Sequence, residues 1–138
     1  MENNQTKQFV VTLLGIVYNP KTKKIIIGKR ENDPNIKKLS WCFPGGAPTY
    51  AKDLEDNLVK EVKKKTNLSV KVKNVVYAKT YPENRKVLSI YYYCEITSDK
   101  SKAGDKFKEV KWVKPLEVKN YFTTSLHKKV IEFLKTLK

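Results

Sequence analysis

Apolar runs divided by polar turns lay out most of the chain. Phe9–Tyr18, rich in Val, Leu and Ile, predicts a strand. Asn19-Pro20 and the polar run Lys21–Lys24 signal a turn, and Ile25–Arg30 completes a hairpin. Residues 31–40 read as a polar loop, Trp41–Phe43 as a short strand, and Pro44-Gly45-Gly46 as its sharp stop. Over residues 53–65 the period changes: Leu54, Leu58 and Val62 recur every four positions, as on one face of a helix. Thr49 or Lys52-Asp53 starts that helix, and Asn67 supplies a left-handed stop. Ser69–Lys79 alternates apolar and polar residues as a strand does, Tyr81-Pro82-Glu83-Asn84 turns, and Val87–Ile96, carrying Tyr91, Tyr92 and Tyr93, is the strongest strand signal. A polar loop over 97–106 leads to a strand at Phe107–Val113, and Pro115 opens a short helical turn. Thr124 or Ser125 is placed to cap a last helix, with Leu126, Val130, Ile131, Leu134 and Leu137 as its core face. This order predicts an α/β sandwich, a central mixed β-sheet between helices.

Length fits a single domain over residues 1–138. With 40% hydrophobic and 31% charged residues, the chain supports one packed core and is not a disordered or fibrous composition. Its longest apolar stretch, Phe9–Tyr18, falls far short of the roughly 20 residues of a spanning helix. No basic segment followed by an apolar run opens the sequence, so a cytoplasmic protein without membrane association is expected.

Charge changes the picture. There are 29 basic and 14 acidic residues, a net +15, and such a field attracts polyanions. Only Arg30 and Arg85 are arginine, so sequence-specific DNA readout, which favours the guanidinium fork, is not expected. The 2 cysteines, Cys42 and Cys94, form no metal-ligand spacing and are expected to be reduced, half-buried apolar residues. The 1 histidine, His127, reads as a surface residue of the last helix, which leaves no basis for a nucleophile–histidine triad. Trp41 and Trp112 read as core or cleft-wall residues, and the tyrosine run as core plus strand surface.

The informative constellation is Trp41-Cys42-Phe43-Pro44-Gly45-Gly46 leading into the 53–65 helix. Glycines after a strand let backbone approach a ligand closely, and a following helix N-terminus favours anions. At this point the chain resembles the Nudix superfamily, whose signature is G-x5-E-x7-R-E-U-x-E-E-x-G-U with U aliphatic. The aligned segment is Gly46 to Leu68. Gly46, Glu61, Val62 and Leu68 match; Lys60 stands for the Arg, Lys52 for the first Glu, Lys64 and Lys65 for the paired Glu residues, and Asn67 for the Gly. Gly28-Lys29-Arg30 and Glu109–Val113 look like the family's second and late strands. The resemblance implies a Nudix-like α/β/α sandwich. It also implies hydrolysis of a diphosphate linked to another moiety, with Mg2+ held by the signature glutamates.

Glu61, Lys64 and Lys65 are three and four positions apart on one helical face, in the order that favours an ion pair. An ammonium has no lone pair for a metal. The leading reading is therefore a carboxylate cage turned into an internal salt bridge: a Nudix-fold protein that binds a nucleotide, a nucleoside diphosphate derivative or RNA, with hydrolysis lost or much weakened and no cofactor expected. Its ligand-binding residues would be Arg30, Gly45, Gly46, Lys52, Lys60, Lys64 and Lys65. The alternative is an active Mg2+-dependent hydrolase with Glu61 as catalytic and metal-binding residue. In it Asp53 and Asn57 extend the Glu61 column, and Asp99, Asp105 or Glu109 are relocated ligands. A third reading is an RNA- or ribosome-associated protein that uses its basic surface.

Overall fold

The computed structural model describes residues 7–137. Its strands are β1 (Val10–Asn19), β2 (Lys24–Lys29), β3 (Trp41–Cys42), β4 (Gly45–Gly46), β5 (Val70–Tyr81), β6 (Asn84–Ile96) and β7 (Glu109–Val113). Helix α1 (Leu54–Thr66) follows β4; a 3-10 turn (Pro115–Asn120) and helix α2 (Lys128–Thr136) close the chain. The described strands form one mixed sheet in the order β3-β2-β1-β6-β5, with β4 paired to β1 and β7 to β2. Only β1 and β6 run parallel, from Val10↔Val87 to Tyr18↔Glu95.

Alternation along the central strands sorts their side chains to two faces. Leu14, Ile16 and Tyr18 of β1, Ile25 and Ile27 of β2 and Tyr91 of β6 pack with Val130 and Leu134 of α2. Leu13, Val17, Ile26, Tyr92 and Cys94 turn the other way and pack with Leu58 and Val62 of α1. The helices thus cover opposite sides of the sheet, as expected for the sandwich, and consecutive tyrosines 91 and 92 serve opposite cores. Tyr93 packs edge-on against Phe133, with ring centroids 5.5 Å apart. Trp41 and Trp112 sit half-buried at the margins of the two cores.

Several local expectations shift. Leu54 is exposed, because three residues at a spacing of four drift by about 80° around a helix of 3.6 residues per turn. On α2, Phe133 packs inward in place of Ile131, which lies about 100° from Val130. Neither Thr124 nor Ser125 caps that helix: His127 does, its Nδ1 accepting from the Lys129 amide at 3.0 Å. Ser125 is committed elsewhere, its amide and hydroxyl both donating to Glu83. Asn67 does end α1 in the left-handed region, at φ 64°.

β1 and β2 pair only at Tyr18↔Ile25 and Asn19↔Lys24. Beyond that point the chain 41–46 crosses between them. Gly28↔Cys42 and Lys29↔Trp41 join it to β2, and Leu14↔Gly45 and Leu13↔Gly46 join it to β1. Gly45 and Gly46 are therefore sheet residues as well as a stop. This crossing sets the mouth of the cleft described next.

Candidate functional site

A cavity of about 380 Å³ lies beside this crossing, lined by β1, the 30–39 loop, Gly45–Ala47, the C-terminal half of α1, β6 and Asp105-Lys106. One wall is charged. Glu61 on α1 meets Lys65 Nζ at 3.0 Å through Oε1 and Lys64 Nζ at 3.5 Å through Oε2. Lys65 also reaches Asp105 Oδ2 at 3.3 Å. Its side chain is 7% exposed and that of Glu61 16%, whereas Lys64 is 49% exposed. Gly46 permits this arrangement, since a Cβ there would stand 2.4 Å from Glu61 Oε1.

Arg30 enters from the end of β2, with Nη1 3.4 Å from Asp33 Oδ1. Its Nε is buried without a hydrogen-bond partner among the described residues. Asp33 holds the loop beneath it by accepting the amides of Asn35 and Ile36. Sequence reasoning missed Asp33; the signal was the turn-forming Asn32-Asp33-Pro34-Asn35 run.

The other wall is apolar with a few hydroxyls. Ile36, Tyr81 and Val87 form a small buried cluster with Leu39 against it. Tyr81 and Tyr91 hydroxyls lie 3.4 Å apart. Burial raises both phenol pKa values, so these hydroxyls stay protonated and able to donate. Ser89 lies close enough to influence Tyr81, yet its fully buried Oγ completes no hydrogen bond of normal geometry among the described residues. Cys42 also lines the cavity; burial favours its neutral thiol, pushing the pKa up to about 12 despite nearby Arg30.

The cavity thus brings together Arg30, Gly45, Gly46, Glu61, Lys64, Lys65 and Asp105. It leaves out Lys52 and Lys60, which line a separate shallow depression on the outside of α1 with Asp56 and Lys63. Lys60 is one residue, about 100°, from Glu61 and so faces away from it. The proposed relocated ligands separate as well. Asn57 is consumed in ordering the 49–53 turn: its Nδ2 donates to the carbonyls of Thr49, Lys52 and Asp53, and its Oδ1 accepts from Thr49. Asp53 is exposed without a side-chain cap bond, Asp99 lines a different depression, and Glu109 is exposed opposite Lys29 on β2.

The Mg2+ implied by the family resemblance does not fit this donor set. Mg2+ requires close to six oxygens in octahedral geometry. Here both oxygens of Glu61 already face ammonium groups, and Asp105 is paired with one of them. Among the described residues, no group of three or more His, Cys, Asp or Glu side chains is placed to hold a metal ion.

Comparison with known proteins places this architecture. The family model for the NUDIX domain matches residues 8–134, so the chain belongs to the Nudix family. A curated relative, an ADP-ribose pyrophosphatase of Methanocaldococcus jannaschii, is 32% identical over 97 residues, covering 67% of this chain and 55% of that protein. The match therefore spans about half the length of that relative. Among solved structures, a MutT protein from Methanosarcina mazei Go1 superposes with a TM-score of 0.75 at 16% identity, covering 96% of this chain and 97% of the other. An ADP-ribose pyrophosphatase from Streptococcus suis gives 0.68 at 16% identity, over 95% and 92% of the two chains. These likenesses establish the fold. Among the described residues, no helix is long and apolar enough to cross a membrane.

Proposed function

We propose that this protein binds a nucleoside diphosphate derivative in the cleft, without a divalent cation, and has lost Mg2+-dependent hydrolysis. One observation carries the reading: both carboxylate oxygens of Glu61 are engaged by Lys64 and Lys65, where a hydrolase needs a metal. Lys64, Lys106 and Arg30 offer the positive charge that neutralises phosphate. The opposite wall suits a base or sugar: it is mostly apolar, with Ile36, Leu39 and Val87 beside the hydroxyl-bearing Tyr81. The ligand class is supported by relatives named ADP-ribose pyrophosphatase. Two free cysteines and a nucleotide ligand suit a reducing, cytoplasmic compartment.

That same naming favours the second reading, a working hydrolase in which Glu61 and Asp105 bind Mg2+ after Lys65 is displaced. Calorimetric titration separates the two. The proposal expects ADP-ribose to bind equally well in EDTA and in millimolar Mg2+. Binding that needs Mg2+ would favour the hydrolase, and no binding in either condition would remove the nucleotide reading altogether.

A further inference from the structure

Residues 97–108 connect β6 to β7 without helix or strand, yet the stretch 100–105 is tied closely to the C-terminal end of α1. Asn67 Nδ2 donates to the Lys100 carbonyl at 3.0 Å. The amides of Lys102 and Gly104 donate to the carbonyls of Thr66 and Lys65, at 2.8 and 3.0 Å. Those carbonyls are ones that a helix end leaves without intrahelical partners. The approach is as close as glycine allows: a Cβ on Gly104 would lie 2.5 Å from the Lys64 carbonyl. The next residue, Asp105, takes φ 49°, a left-handed conformation that side-chain-bearing residues adopt at a cost. Its carboxylate then meets Lys65 Nζ at 3.3 Å, on the same ammonium that binds Glu61 at 3.0 Å.

A single buried cation therefore joins a helix carboxylate to a loop carboxylate. Its charge is spent on those two acids, and at 7% exposure it has little surface left for a ligand. Lys106, adjacent to Asp105, remains on the cavity wall.

We propose that Lys65 is a resident cation: its ammonium bridges Glu61 and Asp105, latches residues 100–106 onto α1, and occupies the space between two carboxylates that a divalent ion would need. Lys65 is thus a positioning residue, which sets the cleft wall and Lys106 through Asp105. That the latched cleft takes its diphosphate free of metal rests on the function proposed above; the latch itself does not.

Hydrogen exchange on the full chain, without nucleotide, tests the latch. The Lys102 and Gly104 amides of the unmodified protein should exchange equally in EDTA and in millimolar Mn2+. In Lys65→Gln those amides should exchange faster, on the order of tenfold, while β6 amides keep their protection. Asp105→Asn removes only the loop acid and should accelerate the same amides even if Lys65→Gln folds poorly. Lys65→Glu sets a third carboxylate beside Glu61 and Asp105. Its loop should be loose in EDTA and protected again by Mn2+, with a bound-Mn2+ electron paramagnetic resonance signal that the unmodified protein lacks. A purely structural lysine would show no such metal rescue. Unchanged exchange in Asp105→Asn, Mn2+ protection of the unmodified protein, or no Mn2+ rescue in Lys65→Glu would each overturn the proposal. None of these readouts depends on whether a nucleotide binds.

Discussion

Glu61 carries the chemistry of the site because of what each of its oxygens touches. The two lysines on it are not equivalent: Lys65 is 7% exposed and Lys64 49%. Exposed pairs contribute about 0–1 kcal/mol, while removing one partner of a buried pair costs about 3–5 kcal/mol because the other charge is left uncompensated. Lys64→Ala should therefore change stability by less than about 1 kcal/mol. Glu61→Gln, which leaves Lys65 only Asp105, should cost roughly 2–4 kcal/mol, somewhat under the range for a fully buried pair. Urea unfolding of the two variants checks the ranking, and equal costs would mean that solvent screens Lys65 as well as it screens Lys64. The pairing itself was legible in the sequence, since helical spacing alone puts residues 61, 64 and 65 on one face. Its second acid was not: Asp105 is 40 positions from Lys65, and only the tertiary fold brings them together.

At the scale of elements, the β5–β6 turn, the 31–40 loop and the approach to α2 meet at Glu83. Ser125 donates to its carboxylate twice, and Lys38 lies 3.5 Å away. The Lys38 carbonyl also accepts from Thr123 Oγ1. Partial burial opposes ionisation of Glu83, but the nearness of its own backbone amide, the two hydrogen bonds from Ser125 and the charge of Lys38 outweigh it and hold the carboxyl below its usual range. In the window between that lowered value and the unfolded value, about 4.3, the unfolded chain binds more protons than the folded one. The Glu83 contribution is therefore complete above the unfolded value and is lost as pH falls through the lowered one. Glu83→Gln should be less stable than the parent at pH 7 and lose less stability on acidification. Urea midpoints across the acid range measure this, and parallel pH profiles would contradict it. Such long-range commitments explain the misplaced cap: nothing local to Thr124 or Ser125 shows that Glu83, 42 residues away, claims Ser125 and leaves the cap to His127. Element types were easier to read, because period-2 and helical patterns depend only on neighbours in sequence. The exposed Leu54 and the inward-packed Phe133 are errors of phase, not of element type.

Across the whole molecule, a net charge of +15 is spread well beyond the cleft. Lys52, Lys60 and Lys63 gather on the outside of α1, away from Arg30, Lys64 and Lys106. A diphosphate held in the cleft neutralises few charges, whereas a polyanion on the outer surface releases a counterion for nearly every phosphate contacted. The affinity for ADP-ribose should thus fall with a log–log salt slope of about 2 or less. It should also be indifferent to reversing Lys52 and Lys60 to glutamate. A steeper slope that the double reversal flattens would move ligand binding to the outer face of α1. The architecture was readable from sequence because both helices and the central strands carry continuous apolar faces. The membership of the site was only partly readable: helical spacing already turns Lys60 away from Glu61, whereas Lys52 precedes the helix and only the fold places it outside the cleft.

The most direct test is turnover. Purified protein should be incubated with ADP-ribose, a dinucleoside polyphosphate and an 8-oxo-nucleotide at millimolar Mg2+ or Mn2+, alongside Glu61→Gln. The lysine-engaged Glu61 predicts no metal-dependent release of product above background for any of them, and no difference between the two proteins. Metal-dependent hydrolysis that disappears in Glu61→Gln would contradict the account, and would mean that Lys64 and Lys65 give way to a metal on that carboxylate.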